Sequence, residues 1–235
     1  MPVILEVVVS RLPTFVVGLA LLITVVAHPE RARSYDILIV DSRLTHVAVI
    51  GDSYTTGTDE GGLGPKSWTV RAWRALAQHG VPVAADVAAE AHAGYGMPGV
   101  HGGVFGDLTA RAVKPDDALV VFFGSRNDQG VDLGLLADRA FGDFDAARHI
   151  APSARLLVIG PPWPTPDVPD SVLQIRDVLN AAAQGAGAAF VDPIVDRWFV
   201  DRPDLIGGDG VHPNDAGHAY LADKIAPLIR TQLSP

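Results

Sequence analysis

The stretches Val47-Ala48-Val49-Ile50 and Ala118-Leu119-Val120-Val121-Phe122-Phe123 are each apolar at every consecutive position. A strand turns successive side chains to opposite faces of its sheet, so an unbroken apolar run requires cover on both faces. That excludes a sheet with one face in water. It calls for central strands of a parallel sheet, with helices packed above and below.

The rest of the chain supplies those helices. A first strand is expected at Thr45–Ile50, a second at 81–87, a third at 118–123, a fourth at 155–159 and a short fifth at 188–191. Between them, apolar residues recur at helical spacing. Trp68, Ala72 and Leu76 mark a helix over 66–79, and Leu136, Ala140 and Phe144 mark one over 133–149. Val172, Ile175 and Leu179 mark a third over 171–183, and Leu221, Ile225 and Leu228 a last one over 216–228. Strands alternating with helices imply parallel pairing through right-handed crossovers. The expected fold is α/β, a three-layer α/β/α sandwich around a central parallel sheet of about five strands. In such folds, sites gather at the carboxyl ends of the strands.

Composition narrows the function. The 235 residues are 48% hydrophobic and 19% charged, enough for one full core. The net charge of −9, with no basic run, argues against nucleic acid as a partner. The absence of cysteine rules out disulfides, thiolate catalysis and cysteine-ligated metal. Leu12–Ala27 carries no charge and follows Arg11, which resembles the apolar core of a secretory signal. Residues 1–43 are therefore expected to be a signal peptide or membrane anchor with a linker, and 44–235 the folded domain. Cleavage is favoured over anchoring, which makes the protein secreted or associated with the cell envelope. Membrane association through this segment is the alternative.

Four segments bring polar residues to the carboxyl ends of the expected strands. Gly51-Asp52-Ser53, with Gly57, follows the first strand, and Gly94 in Ala93-Gly94-Tyr95-Gly96 follows the second. Asn127 in Gly124-Ser125-Arg126-Asn127-Asp128 follows the third, and Asp209-Gly210-Val211-His212-Pro213 precedes the last helix. In this order the blocks resemble those of the SGNH, or GDSL-type, hydrolases across about residues 46–230. The resemblance implies the flavodoxin-like SGNH fold and a serine esterase acting on carboxylic esters of lipids or sugars, without cofactor or metal. It makes Ser53 the nucleophile, His212 the base and Asp209 its orienting carboxylate. The Ser53 N–H, the Gly94 N–H and the Asn127 side-chain amide would hold the oxyanion, with Gly96 an alternative to Gly94. The chain departs from the family pattern at Ser125, which stands where a glycine is usual.

The chemistry suits these residue types. A serine hydroxyl attacks only when a base removes its proton, and an imidazole serves as that base when a carboxylate fixes its tautomer. Two other functions remain open at this level: an acyltransferase that passes the acyl group to a sugar or lipid hydroxyl, and a non-catalytic binding module on the same fold. Tyr54, Tyr95, Met97 and Trp163 neighbour the site segments and are expected to line a substrate pocket, Trp163 in the stiff run Pro161-Pro162-Trp163-Pro164. The run Asp59-Glu60-Gly61-Gly62 is expected to be a solvated loop, and His92, His101 and His218 to lie on the surface or in loops.

Overall fold

The computed structural model describes residues 44–234. The expected leader lies outside the described residues. Five strands form one all-parallel sheet: β1 (Thr45–Gly51), β2 (Val83–Ala89), β3 (Asp117–Phe123), β4 (Arg155–Ile159) and β5 (Ala189–Val191). Their spatial order is β2-β1-β3-β4-β5. The order reverses between β1 and β3, so the chain leaves these two neighbours toward opposite sides and opens a crevice at their carboxyl ends.

Among the described residues there are six α-helices: the single turn α1 (Ser53–Thr56) at the end of β1, and α2 (Trp68–Gln78), α3 (Phe105–Ala112), α4 (Leu133–Ile150), α5 (Asp170–Gly185) and α6 (Asp215–Leu233), which cover the sheet. The consecutive apolar residues of the central strands divide between two cores, as their period of two requires. Val47, Val49, Leu119, Val121 and Phe123 pack with Trp68, Leu76, Leu221 and Ile225 of α2 and α6. Ala48, Ile50, Val120 and Phe122 pack with Phe105, Leu108, Leu136 and Phe144 of α3 and α4, joined by Ile175 and Leu179 of α5. The expected three-layer α/β/α sandwich is observed.

Three details differ from the sequence reading. Strand β2 runs Val83–Ala89 instead of 81–87, because the Val81 N–H closes the turn after α2 on the Leu76 carbonyl and Pro82 has no N–H to give. Helix α3 was not expected, although Phe105, Leu108 and Ala112 carry its buried stripe; eight residues with a glycine at the second position give a weak periodic signal. Helix α6 runs through Pro227 to Leu233 instead of stopping near Leu228. Its buried residues Ile225, Ala226 and Ile229 keep it docked on both sides of the proline.

Candidate active site

The site is assembled from loops that leave the sheet at its carboxyl edge. Strand β1 ends at Gly51, and α1 begins two residues later at Ser53. Asp52 caps this short helix, its carboxylate accepting the Tyr54 N–H at 2.9 Å. Gly51 is needed for space, since a Cβ there would run into the Thr55 side chain of α1. Ser53 is thereby held at the first helical position, where a backbone N–H has no intrahelical acceptor.

The loop before α6 carries the other two groups. Asp209 accepts the Val211 and His212 N–H groups at 2.8 and 2.9 Å through one carboxylate oxygen. Its second oxygen lies 2.5 Å from His212 Nδ1. Gly210 makes this tight turn possible at φ +71. His212 Nε2 lies 3.0 Å from Ser53 Oγ. The three residues form one unbroken hydrogen-bonded chain from carboxylate to imidazole to hydroxyl. Desolvation works to raise the Asp209 carboxyl. The bonds from the His212 ring and from the two backbone N–H groups outweigh it and bring the group down to about 2. Asp209 is thus a fixed negative charge at neutral pH, which orients the ring with Nδ1–H toward it and leaves Nε2 as an acceptor facing Ser53 Oγ.

Asn127 also lies here, in the turn Arg126–Asp128 that follows β3. Its amide donates to the Ala93 carbonyl at 2.9 Å and lies 3.5 Å from the Asp52 carboxylate. Ser125 accounts for its own departure from the family pattern. Its buried hydroxyl donates to the Ala93 carbonyl at 2.9 Å and accepts the Asn127 N–H at 2.9 Å. A side chain thus ties the Asn127 turn to the segment after β2. Asp128, to which the sequence assigned no role, accepts the N–H groups of Tyr95, Gly96 and Met97 at 3.0, 2.8 and 3.0 Å. Burial pushes the Asp52 carboxyl up to about 6, against the bond from the Tyr54 N–H and the nearby His212 ring.

Several expectations are corrected. The Gly94 N–H is spent within its own turn, donating to the Met97 carbonyl at 2.8 Å, and the Gly96 N–H is held by Asp128. Neither stands as a free oxyanion donor. Tyr54 and Tyr95 do not line a pocket. Tyr54 is 2% exposed, packs edge-on against Phe123 and donates its hydroxyl to the Val211 carbonyl at 2.5 Å. Tyr95 is fully buried against Phe105 and Phe144. Both follow site residues in sequence, but the local backbone turns their rings inward. Trp163 is part-exposed, with the Arg126 guanidinium over its ring.

The expected solvated loop Asp59–Gly62 is instead built into the site's support. Gly61 and Gly62 are buried. Glu60 accepts the Gly208 N–H at 2.6 Å, next to Asp209, and the Gly62 N–H donates to Asp215 at 3.1 Å. These bonds join the segment after the serine to the loop that bears the histidine. Gly62 lies directly on the ring of His218, which is buried in α6 and not at the surface. No local pattern in the sequence marks these contacts, since each joins residues about 150 positions apart.

A cavity of about 180 Å³ between α2 and α6, lined by Leu76, His79, Ala226 and Arg230 among others, holds none of these groups. Chemistry rather than concavity therefore locates the site.

The sequence pattern of the GDSL-like lipase/acylhydrolase family matches residues 49–220. The chain belongs to that family. It is a hydrolase of the GDSL, or SGNH, type, a family of carboxylic ester hydrolases. The GDSL lipase Rv0518 of Mycobacterium tuberculosis is 69% identical over 228 residues, covering 95% of this chain and 99% of that protein. Among solved structures, the lipase/acylhydrolase from Enterococcus faecalis is 17% identical with a TM-score of 0.63, over 82% of this chain and 98% of that one. A family two carbohydrate esterase from Clostridium thermocellum is 16% identical with a TM-score of 0.64, over 80% of this chain and 64% of that one. At such identities these two likenesses show the fold of the GDSL hydrolases and nothing finer.

Proposed function

We propose that this GDSL hydrolase is an exported serine esterase that works through an acyl-enzyme on Ser53. The observation that carries the reading is the continuous chain Asp209–His212–Ser53, with gaps of 2.5 and 3.0 Å. His212 Nε2 takes the hydroxyl proton as Ser53 Oγ attacks the ester carbonyl. Asp209 stabilises the imidazolium that results, and the same Nε2 returns the proton to the leaving alcohol. Water then attacks the acyl-enzyme by the same route, His212 acting first as base and then as acid.

The tetrahedral intermediate places a negative charge on the former carbonyl oxygen. The Ser53 N–H and the Asn127 amide are its donors in this reading, the amide keeping its bond to Ala93 and turning to the oxyanion the hydrogen that meets Asp52 only at 3.5 Å. Each such donor contributes about 2.7–4 kcal/mol of transition-state stabilisation. A third donor from the Gly94 turn would require that its N–H leave the Met97 carbonyl when substrate binds. The His212 and Asp209 side chains are 24% and 36% exposed, an open rim that favours short to medium acyl chains over long ones. The charge-free run Leu12–Ala27 supports export.

The test is covalent labelling by a fluorophosphonate, paired with a p-nitrophenyl ester series of increasing acyl length. Wild type should be labelled at Ser53 and hydrolyse the short esters fastest, whereas Ser53→Ala should do neither. Labelling that persists in Ser53→Ala would refute the assignment. Product analysis with an added sugar alcohol separates the acyltransferase alternative: acyl transfer exceeding hydrolysis would replace the esterase reading.

A further inference from the structure

We infer that Arg126, stacked on Trp163 at the rim of the site, recognises an anionic substituent, a carboxylate or phosphate, on the ester substrate. The inference rests on the esterase reading and adds a substrate class to it.

Position is the first argument. Arg126 immediately precedes Asn127 in the turn after β3, and its guanidinium carbon lies 4.0 Å from the centre of the Trp163 ring, which comes from the loop after β4. Its charge also acts on the Tyr54 phenol, itself bonded to the carbonyl of Val211 beside His212. Tyr54 in turn follows Ser53. The guanidinium is therefore tied to the site through Tyr54, whose hydroxyl holds the loop that bears His212, and through the turn it shares with Asn127.

Uncompensated charge is the second. The chain has 27 acidic and 18 basic residues, so carboxylates are in surplus. Lys66, Lys114, Arg197 and Arg202 each pair with one, and Arg176 with two. Among the described residues, no carboxylate pairs with Arg126. Its Nη1 is buried without any hydrogen-bond acceptor, while the residue as a whole keeps part of its exposure. A guanidinium half removed from water with no counter-ion is unfavourable, and a bound anion relieves that cost. Stacking on an indole holds the guanidinium plane and leaves its edge to meet a carboxylate or phosphate through paired N–H groups. The surrounding excess of negative charge would repel an anionic ester from most of the surface, so a preference for one must come from a local cation.

The experiment compares kcat/KM for two matched pairs of esters. One is p-nitrophenyl hemisuccinate against p-nitrophenyl butyrate, with a carboxylate on the acyl side. The other is butyryl glycerol phosphate against monobutyrin, with a phosphate on the alcohol side. In at least one pair the anionic-to-neutral ratio should fall about tenfold or more in Arg126→Gln, with Arg126→Lys retaining part of the preference. The pair that responds identifies the source of the anion. In wild type, the same ratio should fall as salt is raised, a readout that needs no variant. Binding of these esters to Ser53→Ala, with and without Arg126→Gln, reads the inference independently of turnover. Absence of turnover in wild type, with the Arg126-dependent binding preference intact, would sink the esterase reading and leave the anion site standing. Turnover with ratios and binding unchanged by Arg126→Gln, or with both esters of each pair reduced equally, would overturn the anion site alone.

Discussion

Replacing His218 by asparagine should remove a specific acid-sensitive part of the protein's stability. The His218 ring is 1% exposed, and its Nδ1 accepts the Trp68 N–H at 3.3 Å. Protonation would put a charge in the core and turn that acceptor into a donor facing another donor. Burial accordingly lowers the group from 6.5 to about 4, with the nearby Asp215 carboxylate offsetting only part of the effect. Between those values the unfolded chain binds more protons than the folded one, so stability is full above about pH 6.5 and is lost as pH falls toward 4. From about pH 7.5 to 4.5 this difference corresponds to roughly 2.5 kcal/mol. Asp52 and Asp143 act with the opposite sign. Burial raises them to about 6 and 7, so the stability they contribute at acid pH is lost as pH rises. Total stability against pH is therefore a poor readout, and the difference between wild type and His218→Asn is the informative one. Asparagine retains an acceptor near the position of Nδ1 but does not titrate. Urea unfolding followed by tryptophan fluorescence at the two pH values should show wild type losing roughly 2.5 kcal/mol more than the variant, on the shifts above. Equal losses in the two proteins would refute the argument, whatever their absolute stabilities.

If its amide is one of the oxyanion donors proposed above, Asn127→Ala should lower kcat/KM by about 10²–10³ with the fold intact; circular dichroism together with ester kinetics checks this. Glu60→Ala frees the Gly208 N–H and loosens the segment that leads into Asp209. It should reduce kcat several-fold and slow fluorophosphonate labelling in parallel while KM holds, and an unchanged labelling rate would count against a positioning role. Tyr54→Phe removes the buried bond to the Val211 carbonyl. It should cost about 1–3 kcal/mol in urea unfolding, because the carbonyl is left without its partner.

Much of this protein is legible from local pattern. The consecutive apolar residues of β1 and β3 required two covered faces, and the two cores supply them. Gly210 and the close spacing of Asp209 and His212 form a self-contained turn, so that pair could be read without knowing anything distant. The position of Ser53 at the turn off a buried strand was equally local, whereas the roles given to all three residues came from the resemblance to the GDSL-type hydrolases.

What the sequence could not determine was direction and long-range pairing. Tyr54 and Tyr95 lie beside site residues in the chain, yet the turn of the backbone sends their rings into the core. The Gly94 N–H points at the Met97 carbonyl because Asp128 gathers the N–H groups of the next three residues and closes that loop on itself. Glu60, Asp215 and His218 read as ordinary polar residues until the segment after Ser53 is laid against the start of α6. Periodicity and turn chemistry are properties of a few neighbouring residues. Where an N–H points, which carboxylate it meets and which cation remains without a partner are decided only when distant segments pack together.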